Sequence, residues 1–239
     1  MTNPLIAKFE RWDDLAPEEQ EALNAITVRN RTYEAGADIV PQGSRPTTCC
    51  LLLEGYAARA TYLTNGDRQI GAVHVPGDFV DIHSFVLKLM DHSVVAVTRC
   101  EVAIVPHATI RELCDRFPHL ARLFWLNTAV DGAVHREWLA AMGRRTAEAH
   151  FAHLLCEMYL RLKDIGRVNG LTFPFPFTQV LMGDVLGLSA VHVNRTVQKL
   201  RGNGLIAWEG GTLEILDWDA LVELADFDDT YLNRIREPR

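Results

Sequence analysis

The sequence predicts an α+β chain in three parts: a glycine-punctuated all-β region, one long helix, and a winged helix-turn-helix. Three observations carry this. Glycines recur at Gly36, Gly43, Gly55, Gly66, Gly71 and Gly77 between short β-branched runs. Residues 118–142 hold one glycine, Gly132, which weakens a coiled-coil reading, and repeat apolar side chains at helical spacing. Residues 178–206 hold two capped amphipathic segments on either side of Gly187, followed by a hairpin pattern. At 239 residues and 48% hydrophobic content, the chain can bury two ordinary cores.

Ala16-Pro17-Glu18-Glu19-Gln20 opens a short helix, with proline at its first turn and acids beside the free amides. The strand-like runs after it are Thr48 to Leu53, Tyr56 to Tyr62, Ile70 to Val75 and Val94 to Thr98. Many short strands between glycine turns make a sandwich or barrel.

Within 118–142, Leu120, Leu123, Asn127, Val130, Val134 and Ala141 approximate a 3-4 spacing. This predicts a dimer seam with one polar residue to fix register. Phe124 and Trp138 trace a competing 3.6-residue stripe, which fits a helix buried in its own domain. Gly143 then breaks the pattern, so Met142 to Arg145 is the expected hinge.

Thr178 caps the first helix of the carboxy-terminal pair, with Val180, Leu181, Val185 and Leu186 expected inward and Gly187 ending it. Ser189 caps the second, where Val193, Val197 and Leu200 form the buried stripe. The opposite stripe is Val191, Arg195 and Gln198, flanked by His192, Asn194 and Lys199. These side chains match what a major groove offers: arginine to guanine, asparagine or glutamine to adenine, valine to a thymine methyl. Leu205 to Trp208 and Thr212 to Ile215 flank Glu209-Gly210-Gly211 as the wing. The bland alternative is a packed helical hairpin inside an enzyme, but the outward stripe lacks the Glu/Lys mixture of a solvated face.

The chain has a net charge of −7, yet residues 143–206 carry eight Lys/Arg against four acids. A local positive patch on an acidic protein suits contact with phosphates on one face. Five scattered cysteines, Cys49, Cys50, Cys100, Cys114 and Cys156, give neither a disulfide framework nor a zinc spacing and read as buried or free thiols. No membrane-spanning run or secretory start is visible, which places the protein in the cytoplasm. No phosphate loop, His-Glu-x-x-His or nucleophile elbow points to an enzyme.

Phe177-Thr178-Gln179, Leu186-Gly187-Leu188-Ser189, Val191 to Gln198, Leu200-Arg201 and Gly204-Leu205-Ile206 together resemble the DNA-binding signature of the Crp/Fnr transcription regulators. Tyr33-Glu34-Ala35-Gly36, Leu53-Glu54-Gly55, Asn65-Gly66 and Pro76-Gly77-Asp78-Phe79 resemble the double-stranded β-roll of cyclic-nucleotide-binding domains. The resemblance implies a β-roll sensor at 1–117, a dimerisation helix at 118–142 and a winged helix-turn-helix at 143–239. It further implies a homodimer on a palindromic double-stranded DNA operator, with RNA polymerase as a partner. Thr178, Gln179, Ser189, Val191, His192, Asn194, Arg195, Gln198 and Lys199 are the candidate DNA contacts. Relatives carry Glu where this chain has Val191, so their usual half-site is not expected to transfer unchanged.

Cyclic-nucleotide binders of the family follow Gly-Asp-Phe with a Gly-Glu pair for the ribose and later an Arg for the phosphate. Asp81-Ile82 and His92-Ser93 stand there instead. Cyclic AMP in its usual mode is not expected, since an acid crowds and repels a phosphate loop and Ile82 cannot accept a hydroxyl proton. Any effector is expected against His83, Ser84, His92 and Ser93, with Asn127 or Thr128 closing the pocket. His74, His83 and His92 at nine-residue spacing leave a haem or metal sensor open beside ordinary strand histidines. No specific metal ligands are assigned. Relatives with an iron-sulfur cluster use a tight amino-terminal cysteine group, and no cysteine precedes Cys49. The competing class is a ligand-binding signalling module that acts through protein contacts.

Overall fold

Prolines lacking an amide hydrogen open both of the first helices, α1 (Pro4–Glu10) and α2 (Pro17–Ala25), where that hydrogen would have no partner. The computed structural model describes residues 3–239, so the first two residues of the expected sensor region lie outside the described residues. Asn3 caps α1 by accepting from the Leu5 amide at 3.0 Å, and Glu19 reaches back to the Ala16 amide at 2.9 Å. Helix α1 was not expected from the sequence: at seven residues it is too short for a clear period.

Seven strands follow: β1 (Asn30–Tyr33), β2 (Asp38–Val40), β3 (Thr48–Glu54), β4 (Ala57–Tyr62), β5 (Arg68–His74), β6 (Ser93–Ala96) and β7 (Cys100–Pro106). They form two antiparallel sheets, β1-β7-β3 and β2-β6-β4-β5. Cys50, Leu52 and Val102 from one sheet meet Val40, Ala57 and Val94 from the other in a shared core. Gly71 corrects the expected turn pattern, since it lies inside β5 where the pairing with β4 slips a register between Arg59 and Ala60. It is the extra residue of a bulge rather than a turn. Strands β1, β2 and β7 were also unforeseen, because β1 is mostly exposed, β2 has three residues and Glu101 interrupts β7.

Helices α3 (His107–Arg116) and α4 (Pro118–Arg144) lead out of the roll, and α5 (Ala147–Asp164) begins at a Thr146 cap. Helix α4 continues through Gly143, so the expected break there is corrected: the chain turns at Arg145, whose ψ of 151° is extended. The predicted dimer seam is corrected too. Leu120 and Leu123 pack with Leu5, Phe9 and Phe79, while Val134 packs with Trp138 and the α5 core. Asn127 and Ala141 are likewise buried within the chain, and Val130 is half-buried. The stripe left outward is Trp125, Ala129, Arg136 and Leu139, with Trp125 75% and Leu139 64% exposed.

The carboxy-terminal region adds β8 (Thr172–Pro174), α6 (Gln179–Leu186), α7 (Ala190–Gly202), β9 (Ile206–Glu209), β10 (Thr212–Ile215) and α8 (Trp218–Ala225). Its sheet has the order β8-β10-β9, so the wing hairpin gains a third strand. This region is docked on the roll. Tyr56 Oη donates to the Pro174 carbonyl at 2.5 Å, and Arg68 binds Asp184 at 2.6 Å. The last residues return to the amino terminus, where the Glu237 amide donates to the Trp12 carbonyl at 3.1 Å. No helix among the described residues is long and apolar enough to cross a membrane.

Candidate nucleic-acid interface and sensor cavity

Two glycines let α6 and α7 approach. Gly187 ends α6 at φ 67°, where a side chain would be strained. A Cβ on Gly183 would stand 2.5 Å from the Leu188 carbonyl oxygen, so only glycine permits this close turn. Thr178 Oγ1 accepts from the Leu181 amide at 3.1 Å, and Ser189 Oγ from the His192 amide at 3.3 Å. Both hydroxyls therefore start helices, as their positions predict.

Val193, Thr196, Val197 and Leu200 are buried on α7, with Thr196 Oγ1 donating to the His192 carbonyl at 3.0 Å. Val191, His192, Arg195, Gln198 and Lys199 are exposed, and Asn194 is half-buried. Asn194 Nδ2 donates to Gln179 Oε1 at 3.2 Å, tying the two helices together. Val180 corrects the expected inward set: it is 64% exposed beside Gln179, and Met182 takes the buried place. Its neighbours Leu181, Val185 and Leu186 fill the core side of this eight-residue helix.

The basic patch is smaller than its charge count implies. Arg161 binds Asp78 at 2.6 Å and Glu157 at 3.0 Å, deep between the two regions. Arg145 is held by Glu137, Arg167 by Glu54, Lys199 by Glu148 and Arg201 by Glu209. Arg195 has no ion partner among the described residues and stands in the centre of the exposed stripe.

Within the β-roll region, a cavity of about 430 Å³ lies between β4, β5, the 3₁₀ turn Ile82–Phe85 and α4. His83, His92, Asn127 and Thr128 line it together with Arg59 and Asp131. Ser84 and Ser93 do not: Ser84 Oγ lies 3.1 Å from His107 Nε2, and Ser93 Oγ accepts from the Gln42 amide at 3.0 Å. The His83 and His92 rings are 5.1 Å apart, and Nε2 of each is buried without a partner. Burial pushes the His83 pKa down to about 4 and lowers that of His92, so both rings are neutral. His74 faces elsewhere, and no group of three or more His, Cys, Asp or Glu side chains is assembled for a metal ion among the described residues. The five cysteines are free thiols, four of them buried.

Arg59 was missed by sequence reasoning, although a single long cation among Ala57, Ala58 and Ala60 is a readable signal on a strand. Its guanidinium binds Asp131 at 2.9 Å. Asp81 also differs from expectation. It is fully buried and accepts from the Cys50 amide at 2.6 Å, away from the cavity, so it does not repel a ligand there. The acids on the cavity wall are Asp91 and Asp131.

Residues 149–224 match the Crp-like helix-turn-helix domain, and residues 30–117 match the cyclic nucleotide-binding domain. The chain is 29% identical over 205 residues to the transcriptional activator protein FnrL of Cereibacter sphaeroides, covering 83% of this chain and 81% of that protein. It is 24% identical to the transcriptional activator protein Anr of Pseudomonas aeruginosa over 88% and 86% of the two chains. Among solved structures, FixK2 from Bradyrhizobium japonicum superposes with a TM-score of 0.72 at 23% identity, covering 82% of this chain and 96% of that one. The β-rich amino-terminal region, long helix and helix-turn-helix thus share the fold of known regulators, and none of these relatives is named as an enzyme. With both regions matched in order along one chain, the protein belongs to the Crp/Fnr family of transcription regulators and carries that family's helix-turn-helix DNA-binding domain.

Proposed function

We propose that the protein works as a cytoplasmic homodimer that reads a palindromic DNA operator and acts on transcription together with RNA polymerase. The observation that carries the reading is the exposed stripe Val191, Arg195 and Gln198 on a helix whose opposite stripe is packed. Arg195 is the base reader, with Val191, His192 and Gln198 beside it. Thr178, Gln179 and Ser189, near the adjoining helix starts, and Asn194 set the depth of approach, and Lys199 meets phosphate. Two such helices on a dimer reach successive major grooves about 34 Å apart. The working division is a sensor at 1–117, a dimerisation helix at 118–142 and a DNA-binding unit at 143–239, with the turn at Arg145 between the last two.

The outward stripe of α4, Trp125, Ala129, Arg136 and Leu139, supports dimerisation. With the half-buried Gly132 between Ala129 and Arg136, its positions fall at steps of 4, 3, 4 and 3 residues as a coiled-coil seam does, Arg136 being its one charged member. The cavity holding His83, His92, Asn127 and Thr128 supports an effector site, and 430 Å³ is the size of a small-molecule pocket. Cyclic AMP does not suit it. Ile82 cannot take a ribose hydroxyl, the Arg59 guanidinium is engaged by Asp131, and two carboxylates face any phosphate.

Selection of binding sites from a random duplex pool tests the main reading. The expected result is a two-fold symmetric site whose half-sites lie one helical turn apart and differ from those of relatives with Glu at the Val191 position. Recovery of no enriched sequence would sink it. Calorimetry with cyclic AMP is expected to give no micromolar binding, and binding lost in His92→Ala would overturn the view of the cavity.

A further inference from the structure

Helix α6 is held to the sensor sheet by its carboxy-terminal end. The last carbonyls of a helix have no amide to take within it. In α6 the Gly183 carbonyl accepts from the Leu188 amide at 3.0 Å, and the two that follow are met from the β-roll. Gln69, half-buried on β5, donates from Nε2 to the Asp184 carbonyl at 2.8 Å and to the Val185 carbonyl at 3.4 Å. A Cβ on Gly187, where α6 ends, would stand 3.9 Å from Gln69 Oε1, so this side chain lies against the helix end. Its neighbour Arg68 binds one oxygen of the Asp184 carboxylate through Nε at 2.9 Å and Nη2 at 2.6 Å.

The other polar contacts between the two regions lie elsewhere. Tyr56 reaches Pro174 on β8, Arg167 pairs with Glu54, and Arg161 on α5 binds Asp78. Those hold the body of the DNA-binding region. Among the described residues, the hydrogen bonds from the roll to the helix-turn-helix itself all come from Arg68 and Gln69.

Whatever fixes α6 also fixes α7, because the close Gly183–Leu188 turn and the Asn194–Gln179 bond tie the two helices together. The grip leaves the reading face open. Thr178 and Gln179 at the start of α6, and Val191, Arg195 and Gln198 on α7, are exposed with the sheet in place. Two residues beyond Gln69, Gly71 forms part of the wall of the candidate effector cavity, and its carbonyl accepts from His135 Nδ1 at 3.2 Å. One strand thus serves both the cavity and the helix-turn-helix.

We propose that Gln69 and Arg68 are positioning residues for DNA reading: from the sensor sheet they fix the orientation of α6, and through it the spacing of the two α7 helices in the dimer. This rests on the reading of the protein as a dimer on a palindromic operator. Holding each reading helix in one orientation before DNA arrives spares the ordering cost of binding, and the advantage is realised when both half-sites must be met at once.

Fluorescence anisotropy on the full chain tests this with three duplexes: the selected operator, the same operator with one base pair inserted between its half-sites, and a single half-site. Gln69→Ala is expected to lower operator affinity about tenfold, to bind the single half-site within about twofold of wild type, and to lose most of the preference for the native spacing. A protein that was merely destabilised would lose affinity for all three duplexes in proportion. Gln69→Lys, whose ammonium can donate to the same carbonyls, should restore operator binding. Arg68→Glu should repeat the loss, and combining it with Asp184→Arg should recover it. Unchanged operator affinity and spacing preference in Gln69→Ala, a rise in operator affinity, or an equal loss on the half-site would each overturn the proposal. Wild type that binds the single half-site as tightly as the operator would instead overturn the dimeric reading, and this proposal with it.

Discussion

Helices α7 and α4 are both amphipathic, yet only one of them shows its outward role in its pattern. On α7, Val193, Thr196, Val197 and Leu200 are buried and the exposed side is Arg195, Gln198 and Lys199 with a single valine, so apolar means inward. On α4, apolar residues occupy both sides: Leu120, Leu123 and Val134 face the chain's own core, while Trp125 and Leu139 face outward. Periodicity gives the phase of a stripe but not the identity of what covers it. A helix with one apolar face has one reading, whereas a helix with two must be divided between its own domain and a partner.

The largest effects should come from splitting those two faces. Leu123→Ala empties a fully buried site and should cost about 2–5 kcal/mol of folding stability, with the association state of the folded fraction unchanged. Leu139→Glu should do the reverse, leaving the thermal midpoint of the monomer near wild type and placing two like charges in the proposed seam. Sedimentation should then report monomer, and affinity for a two-half-site operator should fall by about 100-fold or more. If Leu139→Glu stays dimeric while Leu123→Ala dissociates, the seam belongs on the first stripe after all.

The same contrast explains what the sequence made legible. Caps and breaks at Thr178, Gly187 and Ser189 act within a few residues, and the structure has each where local chemistry requires it. Strands Thr48–Glu54 and Arg68–His74 also declared themselves through runs of buried residues. Contacts between distant segments did not. Arg161 counted as part of a basic patch, yet it is spent on Asp78, 83 residues earlier, and Lys199 leans on Glu148, 51 residues earlier. Helix α1 and strand β2 were too short for any period, so only tertiary packing defines them. In the candidate effector cavity, His83, His92, Asn127 and Thr128 converge from distant positions, whereas Ser84 and Ser93 turn to local partners that spacing alone does not reveal.

Asp81 sharpens the comparison from the side of the β-roll, whose core holds a buried acid that α7 has no counterpart to. Desolvation raises its pKa from 3.8 to about 7, against the lowering effect of the Cys50 amide. The folded protein therefore keeps a proton that the unfolded chain releases above its ordinary value. Stability from this group is fully present at pH below about 4, declines as pH rises, and is lost above about 7. The slope approaches about 1.4 kcal/mol per pH unit in the middle of that window. His83 and His150, whose pKa values burial lowers to about 4, act in the opposite sense, so the difference between wild type and Asp81→Asn isolates the acid. Denaturant titrations at pH 5, 6 and 7 should find the variant gaining on wild type at each step. A constant difference would place the charged carboxylate in the folded state throughout.

On α7 itself, the next effect is smaller and lies in binding rather than folding. Arg195→Ala should weaken the selected operator by about 1–3 kcal/mol and relax specificity at one base pair per half-site. Its side chain is exposed and outside every ion pair of the described residues, so the thermal midpoint should not move. Fluorescence anisotropy against the operator and a scrambled duplex separates the two outcomes, and an equal loss on both duplexes would make Arg195 a phosphate contact instead.

The smallest expected effect concerns Lys199, where the folded chain and the DNA compete for one ammonium group. Glu148, near the start of α5, holds it, and the hydrogen bond from Lys199 keeps that carboxyl below its ordinary pKa. The pair is solvent-facing, so water screens it and little stability depends on it. An approaching phosphate must draw Lys199 away from Glu148. Glu148→Gln removes the competing charge while keeping the side chain's shape, and should raise affinity for every duplex by a few-fold. Lys199→Ala should lower affinity for operator and scrambled DNA alike and reduce the slope of log affinity against log salt by about one. Combining the two substitutions should cancel the gain from Glu148→Gln, because without the lysine the acid has nothing to withhold. A Glu148→Gln gain that persists in the double variant would mean that the carboxylate repels DNA directly, and Lys199 would then leave the interface.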